Sequence, residues 1–136
     1  MLLRYTANLG GAGVQGGSPI RILVVYDRQA NAVTPIITNI LQTDDFNSPQ
    51  NLDYASRFFI MMDIITEPLS TTGNEGIGAK RYKRLNTITE FNTGNAGTVG
   101  DITTGAVYLM IAQNSSISGG GIGTFAFYNR LRFSDV

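Results

Sequence analysis

Apolar residues recur at every second position over several short runs, and β-branched types are concentrated in them. That is the pattern of strands covered on at least one face. In Leu2–Leu9, Leu3, Tyr5 and Ala7 alternate with Arg4, Thr6 and Asn8. In Ile20–Asp27 the apolar character extends to both parities. Ile20, Ile22, Val24 and Tyr26 fall on one side, Arg21, Leu23, Val25 and Asp27 on the other, which predicts a central strand with both faces covered. Arg57–Thr66, Arg81–Phe91, Ala106–Ala112 and Thr124–Phe133 are the further predicted strands, with a very short one near Asp101–Thr103. The connection Arg28–Ala55 carries the one helical signal: Thr34 as cap, Pro35 at the first helical position, and Ile36, Ile37, Ile40 and Leu41 on a shared face. Gly10–Gly17, Leu69–Gly78, Asn92–Gly100 and Asn114–Gly123 read as loops. The sum is one all-β domain over residues 1–136, an antiparallel sandwich or jelly roll with one short helix in a loop.

Composition narrows the chemistry. The 136 residues are 43% hydrophobic and 15% charged, enough for one sizeable core and unlike a disordered chain. There is no His and no Cys. The commonest general base, the commonest metal ligand and every thiol nucleophile are therefore absent. No catalytic, cofactor or metal site is expected, and an enzyme of the metal-binding cupin type is a poor fit. Ten Lys and Arg balance ten Asp and Glu, so no net field drives association with nucleic acid or a membrane. Weak self-repulsion instead suits a protein that packs against its own copies. The most apolar window, Phe58–Ile65, is interrupted by Asp63 and is too short for a bilayer span. The chain reads as soluble, with no membrane partner.

Few motifs rise above loop chemistry. Gly73–Lys80 resembles a phosphate loop in composition, but it lacks the Gly-Lys-Ser/Thr ending and no helical pattern follows. Asp44, Asp45 and Asp53 match no Ca²⁺ loop spacing and read as turn formers. Asp63 is the one acid within the most apolar run, and Arg57 or Tyr54 is its expected partner. The concentrated basic patch is Lys80-Arg81-Tyr82-Lys83-Arg84. On a strand, Lys80, Tyr82 and Arg84 share one face, Arg81 and Lys83 the other. Two readings stay open. The patch could lie along a phosphate backbone and stack a base, or it could be a solvated strand start paired with Glu67, Glu75 or a neighbouring chain.

The run Arg21-Ile22-Leu23-Val24-Val25-Tyr26-Asp27-Arg28-Gln29-Ala30-Asn31-Ala32 resembles a stretch in capsid proteins of small circular Rep-encoding single-stranded DNA (CRESS-DNA) viruses. Three features follow in the same order: Ile37-Thr38-Asn39-Ile40-Leu41, Arg57-Phe58-Phe59-Ile60-Met61-Met62-Asp63, and Phe125-Ala126-Phe127-Tyr128-Asn129-Arg130-Leu131-Arg132-Phe133. The resemblance is most specific between Ile20 and Asp63. It implies a single jelly-roll capsid subunit, not an enzyme and without a cofactor. Such a subunit self-assembles with identical copies inside the host cell into a small icosahedral shell, the virion, around single-stranded DNA. It further implies that the sequence opens at the family's second strand, with the first strand and the basic DNA-binding arm absent from this chain. Local cations would then meet the DNA, with Arg4, Lys80, Arg81, Lys83 and Arg84 as candidates. Subunit contacts are expected at Pro35, Ile36, Ile37, Ile40 and Leu41, whose side chains would be buried only after assembly. Further contacts are expected at Gly119, Gly120 and Gly121, where small residues permit close backbone approach. The alternative is a jelly-roll carbohydrate-binding, lectin-like module. That class presents exposed aromatics on one face, whereas this sequence has no Trp and keeps most aromatics within apolar strands.

Overall fold

The centre of the molecule is β2 (Ile20–Asp27), hydrogen-bonded on both sides. The structure, a computed structural model, describes residues 1–8, 19–30, 32–66, 77–94, 96–113 and 124–132. Of residues 2, 4–8, 77–79, 113, 124 and 125 it describes the backbone. β2 pairs antiparallel with β3 (Phe58–Ile65) and with a strand over Ala106–Gln113. Its two parities are both buried, as its sequence predicts. Ile20, Ile22 and Val24 enter one apolar cluster; Leu23 and Val25 enter another on the opposite face.

β3 serves both clusters because it carries a bulge. Val24 pairs with Met62 and Val25 with Ile60, so Met61 is the extra residue. A strict period of two would put Phe58, Ile60, Met62 and Ile64 on one face. The extra residue reverses the alternation. Phe58 and Ile60 pack with Leu23 and Val25, while Met62 and Ile64 pack with Ile22 and Val24.

The connection between β2 and β3 folds back over the second cluster. Its helix, α1 (Ile37–Ile40), is a single turn that starts later than the sequence suggests. Ile36, rather than Thr34, is the cap residue, and its N–H donates to Asn39 Oδ1 at 3.0 Å. Leu41 bridges to Gln50 instead of continuing the helix. Ile40 and Leu41 are fully buried against Leu23, Val25 and Phe58. Two guanidinium–carboxylate forks hold this cover at the two ends of β2. Arg57 donates to Asp27 through Nε at 2.9 Å and Nη2 at 2.8 Å. Arg21 donates to Asp63 through Nε at 2.7 Å and Nη2 at 2.6 Å, and through Nη1 to the carbonyls of Phe46 and Ser48. The expected partner of Asp63 is thus corrected: it is Arg21, because Arg57 sits at the far end of the strand facing Asp27. Of the two paired acids, Asp27 is fully covered, while Asp63 keeps 40% of its side chain exposed.

The second sheet is built on β1 (Leu2–Asn8), flanked by β4 (Ile77–Tyr82) and by a strand over Thr124–Arg130. It meets the first sheet through Leu3, fully buried in the cluster of Ile20, Ile22, Val24 and Met61. A small ribbon pairs β5 (Glu90–Phe91) with β6 (Ile102–Thr104); β7 is then Ala106–Gln113 and β8 is Thr124–Arg130. The predicted single strand Arg81–Phe91 is corrected here. The ladder with β1 runs from Ala7↔Ile77 to Leu2↔Tyr82, so β4 lies earlier than its alternation suggests. Residues 83–89 then cross to the first sheet. Leu85 packs on the shared cluster, Tyr26 donates its hydroxyl to Ile88 O at 2.8 Å, and Thr89 donates its hydroxyl to Gly105 O at 2.6 Å. Gly105 is required at this crossing: its φ is +83°, and a Cβ there would stand 1.9 Å from Ile88 O.

Candidate nucleic-acid interface

The register of the β4-β1-β8 sheet arranges its outward positions in rows. Leu3 points into the core, so Leu2 and Arg4 hold the alternate register. Arg4 lies between Lys80 on β4 and Tyr128 on β8. Leu2 lies between Tyr82 and Arg130, and Thr6 lies between Gly78 and Ala126. One row therefore reads Lys80-Arg4-Tyr128 and the next Tyr82-Leu2-Arg130, each with one tyrosine at an outer strand, and the third row is small residues only. Lys80 and Arg130 are exposed, and Tyr82 and Tyr128 keep 75% and 60% of their surface in solvent.

Charge is sharply divided between the two sheets. Seven of the ten cations, Arg4, Lys80, Arg81, Lys83, Arg84, Arg130 and Arg132, lie on these three strands or just beyond their ends. The three strand segments contain no acid. The other three cations are engaged elsewhere: Arg21 and Arg57 in the two forks, and Arg28 with Ser56 O at 3.2 Å. Both forks raise the pKa of their arginine, chiefly through the hydrogen bond to the carboxylate, so these two charges are fixed and neutralised. Among the described residues no carboxylate forms an ion pair with Lys80, Arg81, Lys83, Arg84, Arg130 or Arg132. A net charge of zero hides three strands that carry cations and no acid.

Like charges directly across a strand pair destabilise the sheet. Arg4 and Lys80 are such a pair, and an anion laid on the rows removes the penalty. The exposed tyrosines between the cations offer π faces on which a base can stack.

Of the sequence candidates, Arg4 and Lys80 are brought side by side. Arg81 takes the register of Leu3 on the opposite parity, although it is exposed at the sheet edge. Lys83 and Arg84 lie past the end of β4; Lys83 is tied by its N–H to Met1 O at 2.9 Å, and both are exposed. The expectation that Arg84 shares a strand face with Lys80 and Tyr82 is corrected, because no ladder extends to residue 84. Sequence reasoning missed Tyr128, Arg130 and Arg132. The signal was present in Phe125–Phe133, where Tyr128, Arg130 and Arg132 share one parity, but nothing local links that run to β1.

The expected interface set divides as well. Pro35, Ile40 and Leu41 are buried in the chain by itself, so the expectation that they stay uncovered until assembly is corrected: the β2–β3 cover already consumes them. Ile37 is half-buried, and Ile36 is exposed at 64%, near the exposed Val33 in the same loop. Gly119, Gly120 and Gly121 lie outside the described residues. Asp45 serves a turn, accepting from Asn47 N at 2.8 Å. Among the described residues no cluster of acids is placed to hold a metal, and no helix is long and apolar enough to cross a membrane.

Neither a scan against protein-family models nor a search of curated proteins finds a match. Fold and surface together define the class: an all-β protein of two packed sheets, one of which presents a cationic, aromatic face. The particular function is argued from that face.

Proposed function

We propose that this chain is a jelly-roll shell subunit that assembles with its own copies and lays its β4-β1-β8 face on nucleic acid. The observation that carries the reading is that, in a chain with no net charge, the strands of one sheet carry four cations and no acid, with three more cations within two residues of their ends. Strand order supports the fold. The chain passes between the sheets from β1 to β2, from β3 to β4 and from β7 to β8, while β2 and β3 pair within one sheet, giving β4-β1-β8 against β3-β2-β7. That order is compatible with part of an eight-strand jelly roll. The resemblance of Arg21–Ala32 and Arg57–Asp63 to CRESS-DNA capsid proteins points the same way, with single-stranded DNA as the enclosed polymer and the virion as the location.

A shell also needs surfaces that prefer a neighbour to water. Val33, Ile36 and Leu52 in the β2–β3 connection are exposed at 65%, 64% and 75%. Exposed apolar side chains of this kind are candidates for burial between subunits. Wild-type protein should sediment as particles, and Ile36→Asp should leave a folded chain that does not assemble, checked by sedimentation and negative-stain microscopy. Normal particles from Ile36→Asp, or a monomer at every salt and concentration, overturn the shell reading.

The exposed Tyr82 and Tyr128 favour one other reading, a carbohydrate-binding module that stacks sugar rings on them. Interleaved cations without carboxylates suit phosphates better than neutral sugars.

A further inference from the structure

We infer that Tyr82 and Tyr128 on the β4-β1-β8 face are base-stacking platforms, flanked by the cations Lys80 and Arg130. This rests on the proposed function, since it says how the same face holds its single-stranded polymer.

The geometry is a lattice with four exposed corners. Tyr82 and Arg130 flank Leu2; Lys80 and Tyr128 flank Arg4. The tyrosines thus occupy one diagonal and the cations Lys80 and Arg130 the other. Two interstrand spacings across and one side-chain repeat along put the tyrosine Cα atoms about 12 Å apart. A strand running along the tyrosine diagonal has a cation on each flank and Arg4 near its middle. The adjoining row of Gly78, Thr6 and Ala126 contributes no large side chain, so the polymer can approach the sheet closely.

A duplex cannot use this arrangement. Its bases are stacked on one another, and it offers only phosphates to a flat surface. For a duplex the tyrosines would be idle apolar surface between the cations. For a single strand they are the sequence-tolerant stacking element of such sites. Their exposure, at 75% and 60%, is what a stacking role requires, and neither ring is buried in the apolar clusters.

The chain has no Trp, so tyrosine emission can report stacking directly. The purified chain is titrated with a short oligo(dT) and with a duplex of the same length, over a range of salt. The expected result is tighter binding of oligo(dT) with quenching of tyrosine emission. The pair Tyr82→Ala, Tyr128→Ala should weaken oligo(dT) binding by about tenfold or more and leave the duplex nearly unchanged. Tyr82→Phe with Tyr128→Phe should keep wild-type affinity, because stacking needs the ring and not the hydroxyl. Lys80→Gln with Arg130→Gln should lower the salt slope by roughly 0.7 for each cation removed. Equal affinity for duplex and oligo(dT), or an alanine pair that binds oligo(dT) like wild type, overturns the inference. So does a phenylalanine pair that loses as much as the alanine pair, which would point to hydrogen-bonded sugars. Sedimentation separates this from the shell reading: particles with tyrosine-independent binding defeat only the inference, and a monomer with tyrosine-dependent oligo(dT) binding defeats only the shell.

Discussion

In the β3-β2-β7 sheet, Arg21 and Asp27 on β2 and Asp63 on β3 are each held by a carboxylate or guanidinium within 3 Å. In the β4-β1-β8 sheet, Lys80, Arg81 and Arg130 face water with no carboxylate beside them among the described residues. Both sheets contain about the same number of strands and the same antiparallel pairing. The difference lies in what covers them. The first is enclosed by the second sheet on one face and by residues 28–57 on the other, so an ion there must bring its partner with it. The second presents one face to solvent, where an unpaired cation costs little and remains available to an external anion. Charge in the first sheet is part of the fold; charge in the second is available for binding.

The largest test of that division is Asp27→Ala. Asp27 is fully buried, takes both arms of Arg57 and accepts Gln29 N at 2.9 Å. Removing it strands a guanidinium over the apolar cluster and should cost roughly 3–5 kcal/mol, read by denaturant unfolding. A loss below about 1 kcal/mol would place this pair with the solvent-screened ones. Asp63→Ala is the graded comparison. Its side chain is 40% exposed, and Arg21 keeps its bonds to the carbonyls of Phe46 and Ser48. The expected loss is about 1 kcal/mol, and it should shrink in high salt while the loss at Asp27 does not.

Tyr108 sharpens the same contrast from within the covered sheet. Its hydroxyl is buried and has no hydrogen-bond partner among the described residues. Burial, with Asp27 nearby, pushes its pKa above the ordinary 10.0, against an opposing contribution from Arg57. A raised folded-state pKa means that its share of stability is full below pH 10.0 and is lost as pH rises through the folded value. Tyr108→Phe removes the unpaired hydroxyl and should gain up to about 1 kcal/mol at neutral pH. The variant should also lose less stability than wild type in strong alkali. Unfolding midpoints from neutral pH to above pH 10 check both.

How far all this was legible in the chain depends on the distance between partners. β2 could be read residue by residue, because its two parities carry their own apolar sets and both faces are covered. β4 could not. Ile77-Gly78-Ala79 looks like the end of a polar loop, and it becomes strand only because β1 pairs with it across seventy residues of sequence. The bulge at Met61 leaves no trace in composition, yet it decides which cluster receives Met62. α1 was seen, but Pro35 is buried beside it instead of opening it. For the site, Arg4 and Lys80 were named from local basic character. Tyr128 and Arg130 were invisible because their neighbours on the sheet are more than a hundred residues away in the chain.

The smallest effect on folding is expected at Lys80, and it is the most discriminating. Lys80 is exposed and its Cα faces that of Arg4 across the ladder. Lys80→Glu replaces a like-charge pair with an opposite one, which relieves repulsion within the sheet. If the cations of this sheet served the fold, reversing one would lower the unfolding midpoint. If they serve an external polyanion, the midpoint should hold or rise slightly while oligonucleotide affinity falls and its salt dependence flattens. A charge that weakens binding when reversed, yet costs the fold nothing, is there for a partner; a fall in the midpoint without a change in binding would return Lys80 to the role that Arg57 plays in the covered sheet.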